Sequence, residues 1–438
     1  MAVLAIALAV CTPADAQRPR PDRPYRGLFG GNGANPNSSQ QFDLNVSLFG
    51  AYDDNVLATS NQGYSGDPRF QQNGGYGSGT ISLDYTKKAG RATFDFTGGY
   101  TYRYYPSYEE LNGFNTWLSA GLAAKLSQRT DLRLTESLGY SPFFSFTPSP
   151  GMRPIAPGDV APIDPDNPLA EEPATNAVSS ASIEHRLTPR ASLSADYNFN
   201  YTHYSDRDLP YQNWGAGGGY TYRLSSRANL SASYHYRRGV SGLYYANQPI
   251  DTQDIVVGLN YTKRLSPSRT MSVGFLIGPS IYRGYAPVGN GTDAVYEKVT
   301  RYPVVGSAYL ARQIARSWSL GVNYSRGMQY TQGFTDPFFS NIVTGSVTGF
   351  VAERAQLTFS AGYDNGSVGV TVTGRRYDTA TASARGQFAL TRWMALFASY
   401  GYYHYLFDQS VTLPAALAQG QDRNSVSVGL NLWLPLLR

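Results

Sequence analysis

Side chains that commonly carry chemistry are scarce in this chain. Its 438 residues include four histidines and one cysteine. His203, His235 and His404 each stand beside a tyrosine, and two have carboxylates close by: Asp206 and Asp208 follow His203, and Asp408 follows His404. An imidazole held by a carboxylate is the start of a hydrolytic site. The plainer reading makes these histidines bases at an interface or in a loop. A metal site would need two or three of them on adjoining elements, and nothing in their spacing points to one. The run Gly215-Ala216-Gly217-Gly218-Gly219 is not a phosphate-binding loop, because it lies inside a strand pattern and opens no helix. Cys11 sits in an apolar leader, and once it is lost the chain has neither a disulfide nor a thiolate ligand. No catalytic residue, metal or cofactor is therefore assigned.

The elements that position these residues are hairpins. Over 253–265, Ile255, Val257, Leu259 and Tyr261 share one parity against Gly258, Asn260 and Thr262. Met271, Val273, Phe275 and Ile277 repeat the alternation against Ser272, Gly274 and Gly278, and Leu276 breaks it. Period two is the mark of a strand with one wet face. Ser266-Pro267-Ser268 joins the arms as a tight turn. Turns of the same kind recur: Lys125-Leu126-Ser127-Gln128-Arg129, Arg186-Leu187-Thr188-Pro189-Arg190 and Arg223-Leu224-Ser225-Ser226-Arg227. Looser copies lie at 87–91, 312–316, 352–355 and 390–392, which makes eight short turns separated by long, uneven connections. That rhythm predicts an all-β, transmembrane, up-and-down antiparallel β-barrel in a Gram-negative outer membrane. About eighteen strands are expected, with sixteen as the alternative, and a wall of that size encloses a water-filled lumen.

Composition agrees. Aromatic residues make up 14%, with 35 tyrosines, beside 15% charged residues. No run is long and apolar enough for a helical span. A mean hydropathy of -0.34 is no objection, since only alternate residues of a barrel strand meet lipid. A sequence pI near 9.0 would suit nucleic acid, but the bases concentrate in the turns, so no nucleic-acid partner is expected. Turn solubility explains Arg129, Arg190, Arg227, Arg269 and Arg316, and a periplasmic export protein docking on that basic rim is the sharper alternative.

Residues 1–16 are expected to be a signal peptide, with Ala14-Asp15-Ala16 as the cleavage site, and 17–41 a periplasmic lead. Lipidation of Cys11 is the lesser reading, because Val10 is a poor residue before it. The barrel then occupies 42–438. Parity directs Leu193, Ala195, Tyr197, Phe199 and Tyr201, and Leu320, Val322 and Tyr324, toward lipid. Candidate lumen-lining residues are Asp84, Asp95, Arg103, Lys125, Arg133, Asp196, Arg223, Arg237 and Arg385. Their modest basic excess could favour anionic solutes, while the bland reading has them wet the lumen and pair across strands. Tyr100, Tyr102, Tyr104 and Tyr105, Tyr234 and Tyr236, and Tyr400, Tyr402, Tyr403 and Tyr405 read as aromatic girdles, with a sugar-stacking track as the alternative. The proline-rich, acidic stretch 141–175 is expected to be a long outer connection that either folds into the lumen or stands outside.

The first strand ends in Tyr52-Asp53-Asp54-Asn55-Val56, and the last contains Val426-Ser427-Val428-Gly429-Leu430. With the basic turns between them, these residues resemble the outer-membrane beta-barrel porin type 2 family. That resemblance implies an outer-membrane channel, and some members of the family are associated with exopolysaccharide production and export. The chain departs from the usual barrel ending in an aromatic residue, closing on Trp433-Leu434-Pro435-Leu436-Leu437-Arg438, with Trp433 as the stand-in. The expected function is a channel passing solute or polymer. A general diffusion porin is the first alternative, and a rim hydrolase or a surface anchor with a plugged lumen the next. Expected partners are outer-membrane lipid and either a polysaccharide or a small solute.

Overall fold

The computed structural model describes residues 25–29, 38–54, 73–107, 109, 112–145, 168–205, 210–241, 248–266, 269–288, 295–315, 317–329, 337–369, 375–411, 413 and 419–437. The expected signal peptide, residues 1–16, and the stretch 146–167 of the proline-rich connection lie outside them. One short 3-10 helix, Arg26–Phe29, precedes the strands. The strands are β1 (Gln40–Asp53), β2 (Gly74–Ala89), β3 (Ala92–Tyr104), β4 (Gly113–Lys125), β5 (Thr130–Ser145), β6 (Pro168–Thr188), β7 (Ala191–Tyr204), β8 (Tyr211–Arg223), β9 (Ala228–Ser241) and β10 (Ile250–Ser266). They continue as β11 (Arg269–Val288), β12 (Val295–Arg301), β13 (Val304–Gln313), β14 (Ser319–Gln329), β15 (Phe338–Ala352), β16 (Ala355–Val368), β17 (Arg376–Ala389), β18 (Met394–Phe407) and β19 (Gly420–Leu437).

All nineteen segments belong to one antiparallel sheet. β12 and β13 both pair with β11, one above the other, and break at Tyr302-Pro303. Proline has no N–H to give the ladder, so the strand interrupts there. The two pieces share one place in the ring, which makes eighteen staves. β19 returns to β1 in register, with Leu44 opposite Leu434, Val46 opposite Leu432 and Tyr52 opposite Val426, so the sheet closes without a terminal aromatic residue.

The short turns sit at one end, and several of them are closed by hydroxyl acceptors. Thr188 Oγ1 takes the N–H groups of Arg190 and Ala191 at 3.2 and 3.0 Å. Ser225 Oγ takes those of Arg227 and Ala228, both at 3.1 Å, and Thr391 Oγ1 those of Trp393 and Met394 at 3.2 and 3.0 Å. A hydroxyl that satisfies two N–H groups at a chain reversal holds the turn closed. In these turns the Ser or Thr is thus the working residue, and the residue two places on, Arg190, Arg227 or Trp393, contributes its backbone N–H. In the turn after β2, Gly90 supplies the left-handed φ of +58° that a two-residue reversal needs.

One face of the wall is apolar and open: Leu48, Ile81, Val257, Ile277 and Val428 are each more than half exposed. An apolar belt around a whole molecule has lipid as its solvent, and a closed sheet is the one β form that satisfies every backbone group there. The other face carries cross-strand hydroxyl pairs, Thr80 with Thr101, Ser119 with Ser137 and Ser399 with Ser427. The protein is an outer-membrane β-barrel with a polar lumen. Leu193, Ala195, Tyr197, Phe199 and Tyr201 lie on the lipid parity, as do Leu320, Val322 and Tyr324. Leu276, which broke the alternation, turns inward opposite Gly258.

The structure departs from the expected strand plan in two places. Of residues 283–301, expected as loop, 283–288 extend β11 and 295–301 form β12, paired with it beyond the lipid belt, where charges such as Glu297 and Lys298 replace alternation. β5 and β6 likewise climb into the expected 141–175 connection, from Ser145 and Pro168, and absorb its prolines through register shifts at Ser141/Phe143 and Phe144/Ser145.

Inside the wall the Arg423 guanidinium and the Asp53 carboxylate are 3% and 0% exposed and paired at 2.5 Å across the β1–β19 seam. Removing one partner strands a buried charge, at a cost of about 3–5 kcal/mol. Asp53→Ala is therefore expected to lower the urea midpoint of the detergent-solubilised barrel. The double variant Asp53→Ala/Arg423→Met should recover at least half of that loss, and equal effects of the single and double variants would contradict the pairing.

Candidate functional site

The lumen is the site, and the registers place its side chains. Asp84 accepts from Asn45 Nδ2 at 2.8 Å, and Asp95 from Thr86 at 2.8 Å, both on the inward face. Arg103 lies opposite inward Ser78, Arg133 between Ala123 and Ser182, and Arg385 on the inward parity of β17. Lys125 and Arg223 occupy inward register positions at the turn end. Asp196 and Arg237 meet in one cluster, described next.

β8 turns Gly215, Gly217 and Gly219 inward, opposite Asn198, Asp196 and Ser194 on β7 and Arg237, His235 and Ser233 on β9. A Cβ at Gly217 would overlap the His235 ring. Its absence lets side chains of two non-adjacent strands meet: His235 Nε2 lies 3.4 Å from Asp196 Oδ1, with both side chains about one-tenth exposed. Next to them Arg237 Nη2 binds Asp254 Oδ2 at 2.7 Å. Arg237 Nη1 donates to the Met328 carbonyl of β14 at 3.4 Å, beyond β10, β11 and β13. Met328 itself packs with Tyr211, Ile250 and Tyr282. The glycine run therefore houses a charge cluster in addition to shaping the wall.

A second cluster narrows the lumen at the end of the long connections. Phe338, Val368, Tyr377, Tyr403, Tyr405, Phe407 and Val411 are buried together. Val411 belongs to the connection after β18, and Ala174 of β6, on a distant part of the ring, packs against the same group. Tyr377 donates to Asp364 Oδ1 at 2.9 Å and also bonds Ser340. Beside this cluster a chain of rings runs from Phe397 to Phe49, Tyr76 and Tyr105. Arg385 lies over Phe397 at 4.5 Å.

The girdle reading is thereby divided. Tyr105, Tyr403 and Tyr405 are corrected to the interior, where they are 2%, 5% and 0% exposed. Strict parity separates Tyr403 from Tyr400 and Tyr402, and that signal was present in the chain. The outward tyrosines hold girdle positions with hydroxyls directed toward water: Tyr236 to Asp251 at 2.6 Å, Tyr363 to Asp378 at 2.7 Å, Tyr400 to Asn424 at 2.7 Å and Tyr402 to Asp422 at 2.9 Å.

The turn end carries a third narrowing. Tyr25 and Leu28 of the lead are buried against inward Ala389, Ala395 and Trp433. Phe29 meets Phe350 edge-on at 5.1 Å, Gln387 Nε2 donates to the Leu28 carbonyl at 2.7 Å, and Arg354 lies over Tyr25. Gly27 lies flush against the Trp433 indole, where a Cβ would overlap it.

The histidines take separate positions on the wall. His404 Nδ1 bonds Asp422 at 2.8 Å on the outer wall. Asp408 turns instead to Ser410, whose hydroxyl and N–H hold its carboxyl below the usual carboxylate range. His235, read as a girdle or loop base, faces the lumen. His203 is on the lipid parity, and Asp206 and Asp208 lie outside the described residues. Among the described residues no three His, Cys, Asp or Glu side chains are grouped to hold a metal ion.

No protein-family model and no curated protein matches the chain. Solved structures similar to it include Pseudomonas aeruginosa OpdQ, at 13% identity over 91% of this chain and 98% of that one, with a TM-score of 0.45. P. aeruginosa OccK2 (OpdF), in complex with glucuronate, is similar at 10% identity over 91% and 98%, with a TM-score of 0.45. The ferric-catecholate import receptor Fiu of E. coli K12 is similar at 9% identity over 91% and 82%, also with a TM-score of 0.45. With TM-scores below 0.5, function is read from the barrel's own geometry.

Gly27→Val is expected to lift the lead off Trp433. Tryptophan emission should shift to the red and the conductance of the reconstituted barrel should rise, with the circular dichroism of the sheet unchanged.

Proposed function

We propose that the protein is an outer-membrane channel for small polar solutes, a narrow diffusion pore rather than a conduit for polymer. The supporting observation is the narrowing of the lumen by its own side chains. Ala174 on β6 reaches the aromatic cluster of β15–β18, and Arg237 on β9 reaches β14. A closed ring of this many strands would otherwise leave a wide aqueous passage. Between the narrowings, hydroxyl pairs, the His235 ring and charges of both signs, Asp196 and Asp254 beside Arg237, offer hydrogen bonds to a hydrated solute.

The polysaccharide link comes from the resemblance to the porin type 2 family, and no matching family model or curated protein supports it. The interior rings also fit poorly as a sugar-stacking track, because Tyr377, Tyr405 and Phe397 are at most 1% exposed and so present no open face.

Planar-bilayer recording of the purified chain is expected to give a steady but small conductance, and proteoliposomes should swell in monosaccharide and not in long-chain dextran. Tyr403→Ala/Tyr405→Ala should raise both the conductance and the size limit. Absence of conductance from both proteins would overturn the pore.

A further inference from the structure

The outer wall differs from one side to the other at the level where the tyrosine hydroxyls meet water. Toward β17–β19 those hydroxyls end on carboxylates, Asp378 and Asp422. Across β9–β11 the same level is a row of bases around one acid: Arg238, Asp251 and Arg283 are directly opposite one another. Arg238 Nε lies 3.9 Å from Asp251 Oδ1, which also accepts from Tyr236, so that carboxylate serves a guanidinium and a phenol while Arg283 stands opposite it in register. Lys298 on β12 stands on the same outward face, opposite Tyr285. Arg326 on β14 is exposed and held in place: it donates to the Val304 carbonyl and to Asn341 Oδ1, both at 3.1 Å, and lies 5.0 Å over Phe339.

Directly beneath lies open hydrocarbon. Ile255, Val257, Phe275 and Ile277 on β10 and β11 are each about half exposed, on the same parity as the charged row. Cations in excess of acids at the edge of an apolar wall match one kind of molecule, an amphiphile with an anionic head and fatty tails. The long connections mark this edge as the outer one. We propose that the β9–β14 face is a seat for an outer-leaflet lipid bearing phosphate groups. Arg238 and Arg283 grip the phosphates, Arg326 marks the β14 edge of the face, and the acyl chains lie along Ile255, Val257, Phe275 and Ile277. Guanidinium suits the task, since its planar fork takes two phosphate oxygens at once.

The test uses the full barrel in detergent micelles, titrated with bis-phosphorylated lipid A and read by native mass spectrometry. Arg238→Gln/Arg283→Gln/Arg326→Gln is compared with the wild type and with Arg129→Gln/Arg190→Gln, which neutralises turn bases at the opposite end. Retention by the triple variant should fall about tenfold or more while the turn variant matches wild type. Retention should also weaken with added salt and be lost when the lipid lacks its phosphates. A heat-modifiable band on electrophoresis verifies that each variant is folded. Equal retention by folded triple variant and wild type, or by lipid with and without phosphate, would overturn the seat. Complete displacement of lipid by millimolar inorganic phosphate would also overturn it, by reducing the face to an anion site without a place for acyl chains.

Discussion

Backbone amides cannot be left open in hydrocarbon, and the rest of this architecture follows from that requirement. The β1–β19 ladder is where the chain meets it last, with pairs running from Phe42 and Leu437 to Asp53 and Ser425. Once the sheet is a ring, each strand has one face in lipid and one in the lumen, and every residue is assigned by parity. The buried Asp53–Arg423 pair sits on that same seam, so a buried charge contact in the lumen and the last backbone ladder reinforce each other.

The wall was legible because its signals are local and repeated. Alternation is set by the geometry of one strand, as Ile255, Val257 and Leu259 show, and a turn is set by a few residues, as in Leu187-Thr188-Pro189-Arg190. The interior was less legible because it depends on which distant strands face each other. Asp196 and His235 are neighbours through a glycine that belongs to neither strand, and no spacing in the chain announces that. Tyr403 and Tyr405 were grouped with Tyr400 and Tyr402 by composition, although parity alone separates them. β12 is illegible for a different reason: above the lipid belt neither face must be apolar, so Lys298, Val299 and Thr300 carry no alternation to read.

The two faces solve opposite problems with the same residue type. Outward tyrosines place a ring in lipid and a hydroxyl on a rim carboxylate, as Tyr363 does with Asp378. Inward tyrosines are consumed in packing, as Tyr377 is between Phe338 and Phe407, and they take up space that water would otherwise fill. Tyrosine abundance in a barrel thus reports on both its membrane fit and its bore, and register is needed to tell the two apart.

The lead at Tyr25–Phe29 has a consequence for the order of assembly. Its seat is made by Phe350, Arg354, Gln387, Ala389, Ala395 and Trp433, all from β15–β19 and the turn that joins β15 to β16. A segment ahead of β1 therefore lacks this seat until β15–β19 are in place. Docking of the lead then marks a completed ring, and a barrel stalled before β19 would leave its own N-terminal hydrophobes without a seat and open to quality-control proteases.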